Sequence, residues 1–253
     1  MKVIILCAGK GQRTGLKYPK CLYTFSDGSK LIEKNINILK EAGFKNKDII
    51  FATGYKENLI KSATFNKHTY IKNKFYSSTN MVYSFFKVLE NIKTDDFLVV
   101  YADIIFDFKS LISIKNSKYD LCTLVDLDWL QKWKQKKNYM DDLEELKINR
   151  TTVTKIGKKT YNLKNIDGRY VGITKISEKI INKMIKQDIL QNLLKKNRKL
   201  DFTNFLMEMI KSDIKIKAIK KKVNWFEFDK KDDFITFEKN KKFKKKLGLQ
   251  KTQ

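Results

Sequence analysis

The sequence predicts an α/β fold around a mostly parallel sheet, on three observations. Apolar runs of strand length, at residues 3–7, 48–53 and 97–101, are each followed by a Gly or Asp: Gly9, Gly54 and Asp103. Runs of that length mark strands buried on both faces, as in parallel sheets. Between them lie segments with apolar residues at helical spacing, such as Leu31, Ile32, Ile36 and Leu39, closed by Gly43. Finally, an order of strand, helix, strand, helix, strand is the pattern of right-handed crossovers within one sheet.

Residues 8–29 form a polar, glycine-containing loop with the chain's one proline, Pro19. Residues 57–65 read as a helix and 69–72 as a short strand. Thr79 or Asn80 caps a helix through Val82, Phe85, Phe86 and Leu89. From about residue 119 the pattern changes. Short strands at 121–125, 152–156 and 170–173 surround a polar, aromatic-dotted insert, 126–145. Helical stretches follow at 177–196 and 202–211, then strands at 214–219 and 224–228, then a basic helical tail within 230–253. Without an internal repeat or Ser/Gly linker, one domain over 1–253 is expected, with about 119–175 as a subregion of its own.

The 253 residues suffice for a buried core, and their formal net charge is +26. Such a charge first suggests a basic nucleic-acid-binding protein. The cations, however, are nearly all Lys; the arginines are Arg13, Arg150, Arg169 and Arg198. Phosphate and guanine recognition favours Arg forks, so nucleic acid is not the expected partner. A positive field still draws polyanionic nucleotides toward a cleft. Cys7, Cys21 and Cys122 lack CxxC spacing and fit free thiols in a reducing cytoplasm. The apolar start ends at Gly9, too short for a membrane span. With His68 the sole histidine, a His-based triad or metal site is not expected.

Four groups of residues could carry chemistry. Ala8-Gly9-Lys10-Gly11-Gln12-Arg13, with Tyr18-Pro19-Lys20, follows a strand end. Glycines let backbone N–H groups approach a polyphosphate closely, and Lys10, Arg13 and Lys20 add cations. Thr14 stands where both the dinucleotide GxGxxG and the Walker loop require glycine, so neither pattern fits. Asp103 follows a buried strand, while Glu227 and Asp229 alternate with Phe226 and Phe228 and share a strand face. The plainer readings are a strand-end turn for Asp103 and a solvent face for the other two. Asn80 and Ser84 lie one helical turn apart, either beside a ligand or as cap and helix interior. The insert holds Trp129, Trp133, Tyr139, Asp141, Asp142, Glu144 and Glu145. These could form an aromatic and acidic ligand cage, or a core or subunit interface.

Leu6-Cys7-Ala8-Gly9-Lys10-Gly11-Gln12-Arg13 with Tyr18-Pro19-Lys20 resembles the signature of the sugar-phosphate nucleotidyltransferase superfamily. Further motifs are similar to those of bacterial cytidylyltransferases for phosphocholine and phosphonates. They are Leu31-Ile32-Glu33, Thr53-Gly54-Tyr55, Asn80-Met81-Val82-Tyr83-Ser84, Ala102-Asp103-Ile104-Ile105-Phe106, Tyr170-Val171-Gly172-Ile173 and Trp225-Phe226-Glu227-Phe228-Asp229. Cys7 departs from the Ala common in that family, and 126–145 matches it least.

The resemblance implies a Rossmann-like, three-layer, GT-A-like α/β fold with a small acceptor-binding insert. It implies a cytoplasmic enzyme that moves CMP from CTP to a small phosphorylated acceptor, releasing pyrophosphate. Phosphoglutamine is the preferred acceptor, for capsule phosphoramidate modification; phosphocholine or a phosphonate comes next. A hexose-1-phosphate enzyme is the alternative, and a homodimer is left open. Mg2+ is expected on Asp103, Glu227 and Asp229, with Arg13 and Lys20 catalytic. Leu6, Ala8, Gly9, Lys10, Gly11, Arg13, Thr53, Gly54, Asn80, Ser84 and Ala102 are expected at the nucleotide. Lys20, Trp129, Glu144, Glu145, Tyr170 and Gly172 are expected at the acceptor.

Overall fold

The computed structural model describes residues 1–92, 95–136 and 139–247. The strands are β1 (Lys2–Leu6), β2 (Ile49–Thr53), β3 (Thr69–Lys72), β4 (Phe97–Tyr101), β5 (Ile104–Phe106), β6 (Leu121–Asp126), β7 (Glu144–Asn149), β8 (Thr152–Lys159), β9 (Arg169–Ile176), β10 (Ile216–Lys221) and β11 (Trp225–Glu227). The helices are α1 (Leu31–Glu41), α2 (Glu57–Ala63), α3 (Met81–Asn91), α4 (Phe108–Lys115), α5 (Trp129–Trp133), α6 (Glu178–Lys186), α7 (Ile189–Lys196), α8 (Phe202–Lys211), α9 (Lys231–Lys239) and α10 (Lys241–Lys246). None of the helices among the described residues is long and apolar enough to cross a membrane.

Nine strands form one sheet in the order β3-β2-β1-β4-β9-β6-β10-β8-β7. The pairings set β8 and β9 against the rest, so the sheet is mixed but mostly parallel. Strand side chains alternate between faces, which divides the core. Val3, Ile5, Leu98 and Val100 meet α1, α2 and α4, whereas Ile4, Leu6, Phe97 and Val99 meet α3, α6, α7 and α8. The result is the expected three-layer arrangement. A third cluster of Phe25, Phe226, Phe228, Phe234 and Phe237 seats α9 against the loop after β1.

The sequence reading departs from the structure at several elements, some polar and one, β5, short and apolar. The insert contains α5 and the start of β7; β7 sits at the sheet edge, where its charged residues are half-buried and Glu145 and Lys147 find opposite charges. The short β5 and the helix α4 were also not anticipated. The single helix expected at 177–196 is two, broken at Asp188 (φ 50°). A straight helix would carry Asp188, not Leu190, onto the stripe begun by Ile181 and Met184. The left-handed residue turns the chain so that Leu190 and Leu194 reach the same core. The basic tail is likewise two helices, α9 and α10, because the Asn240 side chain accepts from Phe243 N and caps the second. Residues 248–253 of the expected tail lie outside the described residues.

One buried carboxylate fixes how the chain enters β11. Asp126, 0% exposed at the end of β6, accepts from Trp225 Nε1 (2.9 Å), Val223 N (3.0 Å), Asp128 N (3.0 Å) and Lys132 Nζ. These bonds tie together β6, α5 and β11, and burial makes each group costly to leave unpaired. Asp126→Ala removes the carboxylate partner of the half-buried Lys132 ammonium and leaves the buried Trp225 N–H unpaired. It is expected to lower unfolding free energy by about 3–5 kcal/mol in a urea titration; a loss below about 1 kcal/mol would show that this network is not what holds β11.

Candidate active site

The site grows from the C-terminal ends of β1 and β4, where ligands of open α/β sheets bind. After β1 the chain turns through Gly11 (φ 62°) and Gly15 (φ 68°) around a short 3-10 turn, Gln12–Thr14. A second 3-10 turn, Lys20–Leu22, begins after Pro19. A Cβ on Gly11 would lie 2.5 Å from Lys20 Cγ, so glycine is what lets the lysine stem cross the loop. A cavity of about 320 Å³ opens above this loop.

Lys20 spans the floor of that cavity. Its ammonium donates to Asp103 Oδ2 (2.7 Å), Asp229 Oδ1 (3.3 Å) and the Phe228 carbonyl (3.3 Å). Arg13 pairs with the other oxygen of Asp229 at 2.6 Å. Burial works against the Lys20 ammonium, but Asp103 and Asp229 outweigh it and raise its pKa. The antiparallel β5–β11 pair, continued by Phe228 N donating to Asp103 O (2.8 Å), brings residues 103 and 229 together.

Two carboxylates thus converge on one point held by a cation. Such a pair of hard oxygens fits Mg2+, which takes one or two carboxylates beside phosphate and water oxygens. Glu227 stands close enough to add to the negative charge around Lys20 but pairs with Arg169 rather than with that ammonium. Among the described residues no group of three or more His, Cys, Asp or Glu is arranged to hold an ion. Of the three expected carboxylates, Asp103 and Asp229 contact the Lys20 ammonium and Glu227 contacts Arg169 instead. Asp229 lies just past the end of β11 and turns toward Lys20 rather than continuing the strand alternation. Glu227 faces Arg169 (3.9 Å). Burial raises its pKa to about 7, opposed by Lys136 and Arg169 and reinforced by Asp103 and Asp142.

Of the expected nucleotide residues, Leu6, Ala8, Gly9, Gly11 and Arg13 line the cavity from the loop side. Asn80, Ser84 and Ala102 line it from α3 and β4. Asn80 is the cap of α3: its Oδ1 accepts from Met81 N (2.8 Å) and its Nδ2 donates to Lys199 O (3.2 Å). Ser84 Oγ accepts from Asn73 Nδ2 (3.0 Å). Three residues stand back from the lining. Thr53 is fully buried and donates to Glu57, because its hydroxyl faces the core. Gly54 acts by absence: a Cβ there would lie 2.6 Å from Tyr76, which does line the cavity. Lys10 lies over the Tyr76 ring at 6.0 Å.

The expected acceptor residues divide: Lys20 is on the cavity floor and Tyr170, Gly172 and Glu144 lie around Tyr101 of its wall, whereas Trp129 and Glu145 make other contacts. Trp129 is 5% exposed and packs in the core, since its apolar bulk belongs to the face of α5 turned to the sheet. Glu145 pairs with Lys155 of the neighbouring strand β8 (3.6 Å). Tyr170 packs edge-on against Tyr101 and bonds Thr174. Gly172 (φ 86°) leaves room for the Tyr101 ring, 2.9 Å from where a Cβ would stand. Glu144 is half-buried, and loss of water there pushes its carboxyl up to about 7; Arg169 and Thr203 oppose the shift, Asp201 and Asp142 add to it.

Sequence reasoning missed Asn73, Tyr76 and Tyr101 on the cavity wall. Asn73 follows the last residue of β3, so the strand-end rule that found Asp103 could have found it too. It missed Arg169 as well, which donates to Asp142 O (2.6 Å) and lies over the Trp133 ring at 4.0 Å. The scarcity of arginine was the available signal.

Known proteins show the same organisation. The model of the MobA-like NTP transferase domain matches residues 3–146. The CTP:phosphoglutamine cytidylyltransferase of Campylobacter jejuni is 30% identical over 246 residues, covering 90% of this chain and 96% of that protein. The inositol-1-phosphate CTP transferase from T. maritima superposes with a TM-score of 0.71 at 16% identity, over 95% of this chain and 96% of that one. The CTP:phosphocholine cytidylyltransferase from Streptococcus pneumoniae gives 0.66 at 20% identity, over 94% and 97%. With that domain model over more than half of its length and a cytidylyltransferase relative matching 90% of it, the chain belongs to the MobA-like NTP transferase family and is a nucleotidyltransferase.

Proposed function

We propose that this enzyme transfers CMP from CTP to phosphoglutamine, releasing pyrophosphate, in the cytoplasmic supply of a phosphoramidate group for cell-surface polysaccharide. The nucleotide and the acceptor follow the Campylobacter jejuni relative, which matches along nearly its whole length. The observation that carries the chemistry is the Lys20 ammonium between Asp103 and Asp229, with Arg13 on the same carboxylate.

Those contacts suit a charge exchange. A triphosphate in the cavity offers Lys20 and Arg13 stronger anionic partners than the aspartates. Both cations turn to it, Arg13 toward the β- and γ-phosphates and Lys20 toward the α-phosphate or the incoming acceptor. Asp103 and Asp229 are then free to hold Mg2+, which when bound neutralises phosphate charge. Backbone from Leu6 to Gly11 cradles the nucleotide. The acceptor phosphate, largely dianionic at neutral pH, attacks the α-phosphorus in line without a protein base. The residues contribute orientation and charge neutralisation. On the acceptor side, Glu144, Glu227 and Arg169 supply both signs of charge for a zwitterionic head.

Pyrophosphate release from CTP is expected with phosphoglutamine and much less with phosphocholine, aminoethylphosphonate or a hexose 1-phosphate. Equal or better turnover with one of these would reassign the acceptor. Lys20→Ala is expected to lower kcat on the order of 10²-fold, and Asp229→Ala to abolish Mg2+-dependent turnover in a folded protein. Near wild-type rates would remove either residue from the site.

Glu144 gives a pH test. Its folded pKa, about 7, lies above the ordinary 4.5, so the folded chain holds its proton more tightly. That contribution to stability is fully present below 4.5 and is lost as pH rises through 7. Glu144→Gln stays uncharged, so its Tm is expected to gain on that of the wild type between about pH 5 and pH 8. Parallel Tm profiles would contradict the desolvation of this carboxylate.

A further inference from the structure

A buried ion pair behind the cleft is aimed at the backbone that carries Asp229. Asp233, 6% exposed in the first turn of α9, accepts from Asp229 N and Lys230 N, each at 2.7 Å. Lys136, its side chain 9% exposed, lies 3.6 Å from the other oxygen of Asp233 and donates to the Glu227 carbonyl at 3.0 Å. The Lys136 ammonium is over the rings of Trp133 (4.1 Å) and Phe226 (5.3 Å), which exclude water around it.

We infer that Lys136 and Asp233 are positioning residues: together they clamp residues 227–230 so that the Asp229 carboxylate faces Asp103. Neither touches the cavity lining. Among the described residues, the polar side-chain contacts of the pair go either to the other member or to backbone between Glu227 and Lys230. The bond to Lys230 N is the capping box of α9, with Asp233 at its third position; the bond to Asp229 N and the Lys136 bond to the Glu227 carbonyl reach past that cap to the backbone around a cleft carboxylate. Buried in a low-dielectric setting, the pair is rigid because loosening either partner strands a charge. Lys136 follows α5 in the acceptor subregion, so the clamp also joins that subregion to the cation site. Outer partners of this kind orient the groups that contact a metal, and their loss typically weakens metal affinity by about 10–100-fold.

The inference rests on the proposed role of Asp103 and Asp229, and the test separates the two. Binding of Mn2+ to the full chain in the presence of CTP is followed by electron paramagnetic resonance of the free ion. Wild type, Asp229→Ala, Asp233→Ala, Asp233→Asn and Lys136→Met are compared. CTP affinity without metal and circular dichroism are recorded in parallel. Asp229→Ala is expected to lose the Mn2+ site. Asp233→Ala and Lys136→Met are expected to weaken Mn2+ binding about tenfold or more, with CTP affinity without metal unchanged. Asp233→Asn, which keeps an oxygen for both N–H groups, is expected to recover most of the affinity. A merely structural pair would not separate Mn2+ affinity from CTP affinity, nor Asn from Ala. Mn2+ affinity within about twofold of wild type in folded Lys136→Met or Asp233→Ala overturns the inference. If Asp233→Ala fails to fold, Lys136→Met decides alone. Undiminished Mn2+ binding by Asp229→Ala overturns instead the cation site beneath it.

Discussion

The contact on which the site depends is the ammonium of Lys20 between the carboxylates of Asp103 and Asp229. It joins three stretches of chain far apart in sequence: the glycine loop after β1, the end of β4 and the segment after β11. Each side chain needs the others. Lys20 would be costly to bury alone, and the two aspartates would repel one another without it. Gly11 has to lack a side chain for Lys20 to arrive, which explains a glycine there in structural as well as phosphate-binding terms.

The rest of the fold brings those stretches together. Parallel strands β1 and β4 are neighbours, so their C-terminal ends open onto the same cleft. The small β5–β11 ribbon then carries the C-terminal segment back across the sheet to Asp103. Asp126 holds one end of that ribbon and the aromatic cluster around Phe228 holds the other. The excess of lysine has a local counterpart here. Lys20, Lys132 and Lys136 are largely buried, and each is matched by a carboxylate and a carbonyl that it binds.

The sheet and the floor of the cleft were legible in the sequence because they rest on local signals. Buried parallel strands read as apolar runs, and the glycine loop with Pro19 and Lys20 has a spacing few other structures need. What was not legible depended on tertiary partners. The edge strand β7 is charged, and only its pairing with β8 makes it a strand. Trp129 and Glu145 looked like ligand groups because aromatic and acidic residues in a polar segment carry no mark of which way they point. Glu227 and Asp229 share a strand face in an ideal strand, yet β11 ends between them and only Asp229 meets Lys20. Arg169 stood out in the sequence only as one of four arginines; its partners Asp142, Trp133 and Glu227 come from distant segments.

Bound nucleotide should rearrange one set of contacts above all. A crystal structure of the enzyme with a non-hydrolysable CTP analogue and Mg2+ tests this most directly. Lys20 Nζ is expected to have left Asp103 and Asp229 for a phosphate oxygen, with a single cation bound by both carboxylates in its place. A triphosphate seated away from the glycine loop, or a Lys20 ammonium still between the two aspartates with the metal held elsewhere, would contradict the exchange of charges on which the chemistry is built.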